Sequence, residues 1–110
     1  MSANIITFTQ DALTKENLQD KGWVLVDFWA AWCGPCKMLA PTVEALCEEL
    51  AGQVIVGKLN IDDYTDFAIS LGVVSIPTLV LFHNGEEAGR LVGLQTKDAI
   101  LEMIRGAQQA

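Results

Sequence analysis

The sequence predicts an α/β fold, with a five-stranded mixed central sheet flanked by four helices. Three observations predict it. Short apolar or β-branched runs alternate with segments whose apolar residues recur at helical spacing, the pattern of a sheet covered by helices. The run WVLVDFW, residues 23–29, is apolar at almost every position, as a parallel strand covered on both faces requires. Near the end, two strand-like runs flank Asn84-Gly85, a pair suited to a tight hairpin turn. That hairpin makes the sheet mixed.

The elements follow in order. NIITF (4–8) is β-branched and reads as a strand. TQDALTKENLQDKG sets Ala12, Leu13 and Leu18 on one helical face, and Gly22 ends it. WVLVDFW is the second strand. Residues 36–51 carry Leu39, Val43, Leu46 and Leu50 at helical spacing, with Gly52 as the stop. Pro41 falls inside this helix, where it removes a hydrogen bond and kinks the axis. VIVGKLNI (54–61) is a third buried strand, and TDFAISLGV a short helix ending at Gly72. TLVLF (78–82) and the run to about Val92 make the hairpin, and TKDAILEMIRGA closes the chain with Ala99, Ile100, Met103 and Ile104 inward. The first three strands are expected to be parallel, joined by right-handed crossovers.

The 110 residues suit one domain, 1–110, since domains commonly take about 100–150. Half the chain is hydrophobic, including Trp23, Trp29 and Trp32, so a core forms without staples. A formal net charge of −7 argues against nucleic acid and anionic membranes as partners, because both reward clustered Lys and Arg. The acidity reads as solubility. Residues 1–20 hold no basic segment followed by an apolar one, the first lysine being Lys15. Three cysteines are too few for a secreted disulfide framework. Together these give the expectation of a cytoplasmic monomer.

Cys33 and Cys36 stand three apart in AAWCGPCKM, between a strand and a helix. A zinc site needs four ligands, and only Cys47 and His83 remain to complete one. A staple closing so short a loop removes little unfolded-state entropy. A redox couple fits. Cys33 lies near a helix N-terminus, where free amides and the dipole favour its thiolate. Cys36 is one turn further in, on the same face and close enough for a disulfide. Pro35 suits a first helical turn, and Gly34 leaves Cys33 open to a bulky partner. Thiolate Cys33 would attack a substrate disulfide, and Cys36 would then release the mixed disulfide.

The chain resembles the thioredoxin family. VDFWAAWCGPCKMLAP, KLNID, SIPTLVLFHNG and LVGL occur in the family's order and cover the chain nearly end to end. The resemblance implies the thioredoxin fold, general reduction of protein disulfides, re-reduction by a thioredoxin reductase, and no bound cofactor beyond the Cys33–Cys36 couple. Asp27 and Lys58 are lone charges in apolar strands, and buried charges are costly unless paired. From the residues alone they read as a charge pair, or as side chains reaching solvent at strand ends. The resemblance puts Asp27 beneath the cysteines with Lys58 beside it. Burial would raise the Asp27 pKa and Lys58 would lower it, which suits Asp27 to take the Cys36 proton. The Ile76-Pro77 bond is expected trans from the residues alone, whereas the resemblance makes it a cis-proline loop facing the cysteines. By the same analogy the Ile76 backbone pairs with an extended substrate segment. Trp32, Gly34, Pro35, Val74, Ile76, Gly93 and Leu94 then form an apolar docking surface. Core packing is the competing reading for Val74 and Leu94.

Other residues read as structural. Trp29 supports the cysteine loop, and Trp23 packs at a strand start. Cys47 lies 14 residues beyond Cys33, about 21 Å along a helix, so it is a small core residue outside the chemistry. His83 is expected at the surface and Asp62-Asp63 in a solvated loop. Ala31 and Ser75 stand where many family members have Glu and Gly, which touches partner preference and local backbone freedom rather than thiol chemistry. A competing function is a redox-independent binding module that uses the same docking surface and needs no thiols.

Overall fold

The structure is a computed structural model that describes residues 5–110. Its strands are β1 (Ile6–Thr7), β2 (Trp23–Trp29), β3 (Ile55–Asn60), β4 (Thr78–His83) and β5 (Glu86–Val92). Its helices are α1 (Lys15–Leu18), α2 (Gly34–Glu49), α3 (Thr65–Ser70) and α4 (Lys97–Gln109). The sheet order is β1-β3-β2-β4-β5. β3 runs parallel to both β1 and β2, β4 antiparallel to β2, and β5 antiparallel to β4. The mixed sheet and its four helices are those expected.

Two early elements differ from expectation. Of the strand expected over 4–8, only Ile6–Thr7 pairs with β3, though the Phe8 amide still donates to Lys58 O at 2.7 Å; Asn4 lies outside the described residues. The single helix expected next divides into a 3₁₀ turn over Gln10–Leu13 and the short α1. Thr14 makes the break. Its backbone is extended, at φ −70° and ψ 154°, and its hydroxyl accepts the Asn17 amide at 3.2 Å. A threonine that caps a new helix cannot also continue the old one. Ala12 is only half-buried, while Leu13 and Leu18 enter the core.

The sheet separates two apolar layers. On one face Leu25, Val56, Leu79 and Leu81 pack with Leu39, Val43 and Leu46 of α2 and Ile100, Leu101 and Ile104 of α4. Leu101 is buried there beyond the inward set expected of α4, and Cys47 sits free in the same layer. On the other face Val24, Val26, Phe28, Leu59, Val80 and Phe82 pack with Leu13, Leu18 and Ala68. The alternation along β2 follows from the strand period of two. Pro41 lies inside α2, which continues as α-helix on both sides of it. The hairpin turns at Asn84 (φ 51°) and Gly85 (φ 88°), a left-handed pair that matches the twist of paired strands. Trp23 pairs with His83 across β2 and β4, and their rings stack 3.9 Å apart. Among the described residues no helix is long and apolar enough to cross a membrane.

Gly57 is required by close approach. A Cβ there would lie 2.6 Å from the Ile6 carbonyl oxygen and would overlap the Phe8 ring. Gly57→Ala is therefore expected to destabilise the protein by about 1–3 kcal/mol through overpacking. Urea unfolding measures this as a lower midpoint with an unchanged slope.

Candidate active site

β2 ends at Trp29, and the chain turns through Ala30–Trp32 before α2 begins at Gly34. Cys33 is the N-cap of α2, with extended backbone (φ −92°, ψ 110°), and Pro35 lies in the first turn. A disulfide joins Cys33 to Cys36, with the Cα atoms 5.3 Å apart. The Cys36 amide donates to Cys33 Sγ at 3.2 Å. In the role where helices commonly use a hydroxyl or carboxylate oxygen, this one uses a sulfur. An amide donor and the positive end of the helix dipole both favour negative charge on that sulfur. Both cysteines are enclosed, at 5% and 3% exposure, in a small cluster with Ala30 against which Trp29, Ile61 and Ile76 pack. Gly34 is exposed, and a Cβ there would meet nothing within 4 Å. The protein leaves that approach to the disulfide open.

The Ile76-Pro77 bond is cis, as the resemblance implied and the residues alone did not. The Ile76 carbonyl oxygen lies 3.8 Å from Cys33 Sγ. Oxidised sulfur has no proton to offer, so this is a contact; a reduced thiol there would have an acceptor beside it. The Gly93 amide donates to the Pro77 carbonyl at 2.8 Å, with Gly93 at φ +89°. Cys33, Ile76, Pro77 and Gly93 are thus joined in sequence. Val74 and Leu94 reach the same end of the sheet as near neighbours of Ile76 and Gly93. Val74 is 87% exposed and Leu94 is also at the surface, so neither packs in the core.

Trp32 is 68% exposed, yet it is not loose. Its indole Nε1 donates to the Asp62 carboxylate, 3.0 Å from Oδ2 and 3.3 Å from Oδ1. Asp62 itself is set by a bond from its amide to Asn60 Oδ1 at 2.9 Å. Asp62 was expected in a solvated loop. Nothing in the sequence marks a partner 30 positions away.

Asp27 is 4% exposed, in register with Lys58 of β3 and Leu79 of β4. It lies on the sheet face that α2 covers, as Leu25 does two residues earlier. Among the described residues its Oδ1 has no hydrogen-bond partner, and neither does Nε1 of half-buried Trp29. Burial pushes the Asp27 carboxyl up to about 7, and the Lys58 charge pulls the other way. Lys58 is a register neighbour but makes no close ion pair with Asp27. Its ammonium stands 5.0 Å from the centre of the Trp29 ring, within cation–π range. Among the described residues no group of three or more His, Cys, Asp or Glu is placed to hold a metal ion.

A reversible disulfide capping a helix at the end of such a sheet defines a dithiol–disulfide oxidoreductase. The family model described as Thioredoxin matches residues 4–106. The chain is 47% identical to a thioredoxin of Rickettsia felis over 96 residues, covering 87% of this chain and 91% of that one. It is 53% identical to a thioredoxin of Chlamydia caviae over 83 residues, 76% of this chain and 80% of the relative. A thioredoxin of Alicyclobacillus acidocaldarius is 46% identical over 90 residues, 82% and 86% of the two chains. The chain belongs to the thioredoxin family. The family uses a redox-active disulfide without an external cofactor, and implies a thioredoxin reductase and disulfide-bearing substrates.

The Asp27 shift makes stability depend on pH. The folded carboxyl holds its proton up to about 7, against 3.8 ordinarily. The stability this adds is complete below the lower value and is lost as pH rises through the upper one. Wild-type stability is expected to fall by about 2–4 kcal/mol from this group between about pH 4 and pH 8. Asp27→Asn should flatten that decline, and urea unfolding over a pH series measures it.

Proposed function

We propose that Cys33 is the attacking thiol and Cys36 the resolving thiol of a protein-disulfide reductase, with Asp27 as proton acceptor and Lys58 as its charge partner. The observation that carries this division is the Cys36 amide bonded to Cys33 Sγ at the head of α2. It stabilises charge on Cys33 rather than on Cys36.

The cycle starts from the dithiol. Cys33 thiolate attacks one sulfur of a substrate disulfide. A Cys33–substrate bond forms, the substrate S–S bond breaks, and the departing thiolate takes a proton from water. Cys36 then gives its proton to the Asp27 carboxylate. Its sulfur attacks Cys33 Sγ, forming the Cys33–Cys36 bond and expelling the second substrate thiolate. Two electrons have passed from the dithiol to the substrate. A carboxyl titrating at about 7 is poised to accept that proton near neutral pH and return it in the reverse reaction.

Substrate is held on Trp32, Gly34, Pro35, Val74, Gly93 and Leu94, while the Ile76 backbone adds an extended target segment as a strand. Exposed apolar residues around an enclosed disulfide support a macromolecular substrate. Two surface hollows of about 260 and 210 Å³ lie beside Ile6, and neither includes a residue of the pair. A thioredoxin reductase returns the disulfide to the dithiol, and the chain works as a single-domain cytoplasmic monomer. No bound cofactor takes part.

Cys36→Ser is expected to accumulate a covalent adduct with a protein disulfide, seen by mass spectrometry, and Cys33→Ser to form none. Asp27→Asn should slow resolution of the mixed disulfide about a hundredfold. Resolution at the wild-type rate in rapid-quench experiments would remove Asp27 from the mechanism. Cys33→Ser combined with Cys36→Ser should abolish reductase activity; a partner function surviving it would favour the binding module.

A further inference from the structure

The loop that faces the disulfide is tied at one end to β5 and at the other to Gly93, the residue that follows β5. Downstream, the Gly93 amide holds the Pro77 carbonyl. Upstream, Arg90 donates through Nη2 to the Leu71 carbonyl at 2.6 Å and through Nη1 to the Gly72 carbonyl at 3.2 Å. The guanidinium is itself held in place. Its Nε donates to Glu87 Oε2 at 2.9 Å and its Nη2 to Glu87 Oε1 at 2.8 Å. This is the two-pronged pairing that fixes an arginine in plane as well as in position.

Leu71 is the C-cap of α3, and carbonyls at a helix end lack helical donors and attract a cation. Between the two ties run Val73, which is buried, then exposed Val74 and Ser75, then Ile76 and Pro77. No strand or helix spans Leu71–Pro77. The other local bonds run from the Leu71 amide to Phe67 O and Ala68 O, from the Gly72 amide to Ile69 O at 2.9 Å, from the Val73 amide to Ala68 O at 2.9 Å and from the Thr78 hydroxyl to Ser75 O at 2.5 Å. Each stays within the segment or its own flanks. Val73 packs in the core layer with Val80 and Phe82, and Arg90 adds the hydrogen bonds that run from the sheet to the upstream end of the loop.

We propose that Arg90, oriented by Glu87, is a positioning residue for substrate docking: it sets where the Ile76 backbone stands relative to Cys33 when a target strand is added. The inference rests on the docking role given to the 74–76 loop above. Arg90 touches neither cysteine by any hydrogen bond and carries no chemistry. Losing it leaves the disulfide and the helix cap intact while loosening the loop a target must meet. Lysine cannot replace it, because one ammonium cannot hold both oxygens of Glu87 in a planar fork and reach two successive carbonyls.

The test uses the full chain. Insulin is the protein disulfide, reduced catalytically with dithiothreitol as electron donor. DTNB is the small disulfide that needs no strand docking, and it is mixed in single turnover with protein that has been pre-reduced and then freed of dithiothreitol, since dithiothreitol reduces DTNB directly. Arg90→Ala is expected to raise KM for insulin about tenfold, with kcat and the DTNB rate unchanged within about twofold. Arg90→Lys should move KM in the same direction, and Glu87→Gln should do so to a smaller degree. Thermal unfolding accompanies each variant; if Arg90→Ala does not fold, Arg90→Lys and Glu87→Gln decide. An unchanged KM in the folded Arg90 variants, whatever their melting temperature, overturns the proposal. So does a loss in which KM, kcat and the DTNB rate all worsen together, which is general loosening. Val74→Asp separates the two readings. If it raises KM while the Arg90 variants do not, only the positioning role fails. If it does not raise KM either, the docking role of the loop fails and the positioning role falls with it.

Discussion

The position of β2 is the constraint on which the rest depends. It is the middle strand of the sheet, paired with β3 on one side and β4 on the other, and Val24 to Phe28 are all buried. Its backbone groups are satisfied by both neighbours and its side chains by two helical layers. Asp27, set in such a strand, is 4% exposed and largely removed from water. Asp27 therefore keeps its proton far above the ordinary carboxylate range, and Lys58, drawn over the Trp29 ring, offsets only part of the burial. Burial in this strand brings the Asp27 carboxyl to about 7, and its proposed role as proton acceptor rests on that.

The direction of the strands then assembles the site. β2 and β3 run parallel, so both end at the same edge of the sheet. β4 runs against β2 and starts at that edge, and β5 runs against β4 and finishes there. Four separate chain segments meet as a result: Ala30–Cys36 after β2, Ile61–Asp62 after β3, Ile76–Pro77 before β4 and Gly93–Leu94 after β5. Each contributes one connection. Ile61 packs on the cysteine cluster, Asp62 holds Trp32, the Ile76 carbonyl stands beside Cys33, and Gly93 holds Pro77. The site is built from loops, but each loop is anchored in the sheet within one or two residues.

Electrostatics rather than enclosure distinguishes the two sulfurs, since both cysteines are buried. The Cys36 amide and the open end of α2 stabilise charge on Cys33, while Gly34 keeps that side free of atoms. Cys36 is inside the first turn and, like Cys33, nearly closed off. On the outer face Trp32 and Val74 are exposed apolar side chains, part of the surface proposed above to hold a partner. Asp62 fixes the ring, and the ties from Arg90 and Gly93 fix the loop.

The sequence by itself determined the order of elements, the hairpin, the redox pair and the burial of Cys47, because these follow from local periodicity, turn chemistry and spacing. It also marked Asp27 and Lys58 as charges out of place in apolar strands. The family resemblance added the cis bond at Pro77, against the default for such a bond. The break at Thr14 escaped both, since capping and continuing a helix are alternatives that one threonine can serve equally in a one-dimensional reading. Asp62 and Arg90 escaped as well. Their partners, Trp32 at one end and Leu71 and Gly72 at the other, are remote in sequence, and an acidic or basic residue in a polar segment looks the same whether solvated or bonded. Tertiary structure alone decided those contacts, because only the assembled sheet brings the Asp62 carboxylate to the Trp32 indole and the Arg90 guanidinium of β5 to the end of α3.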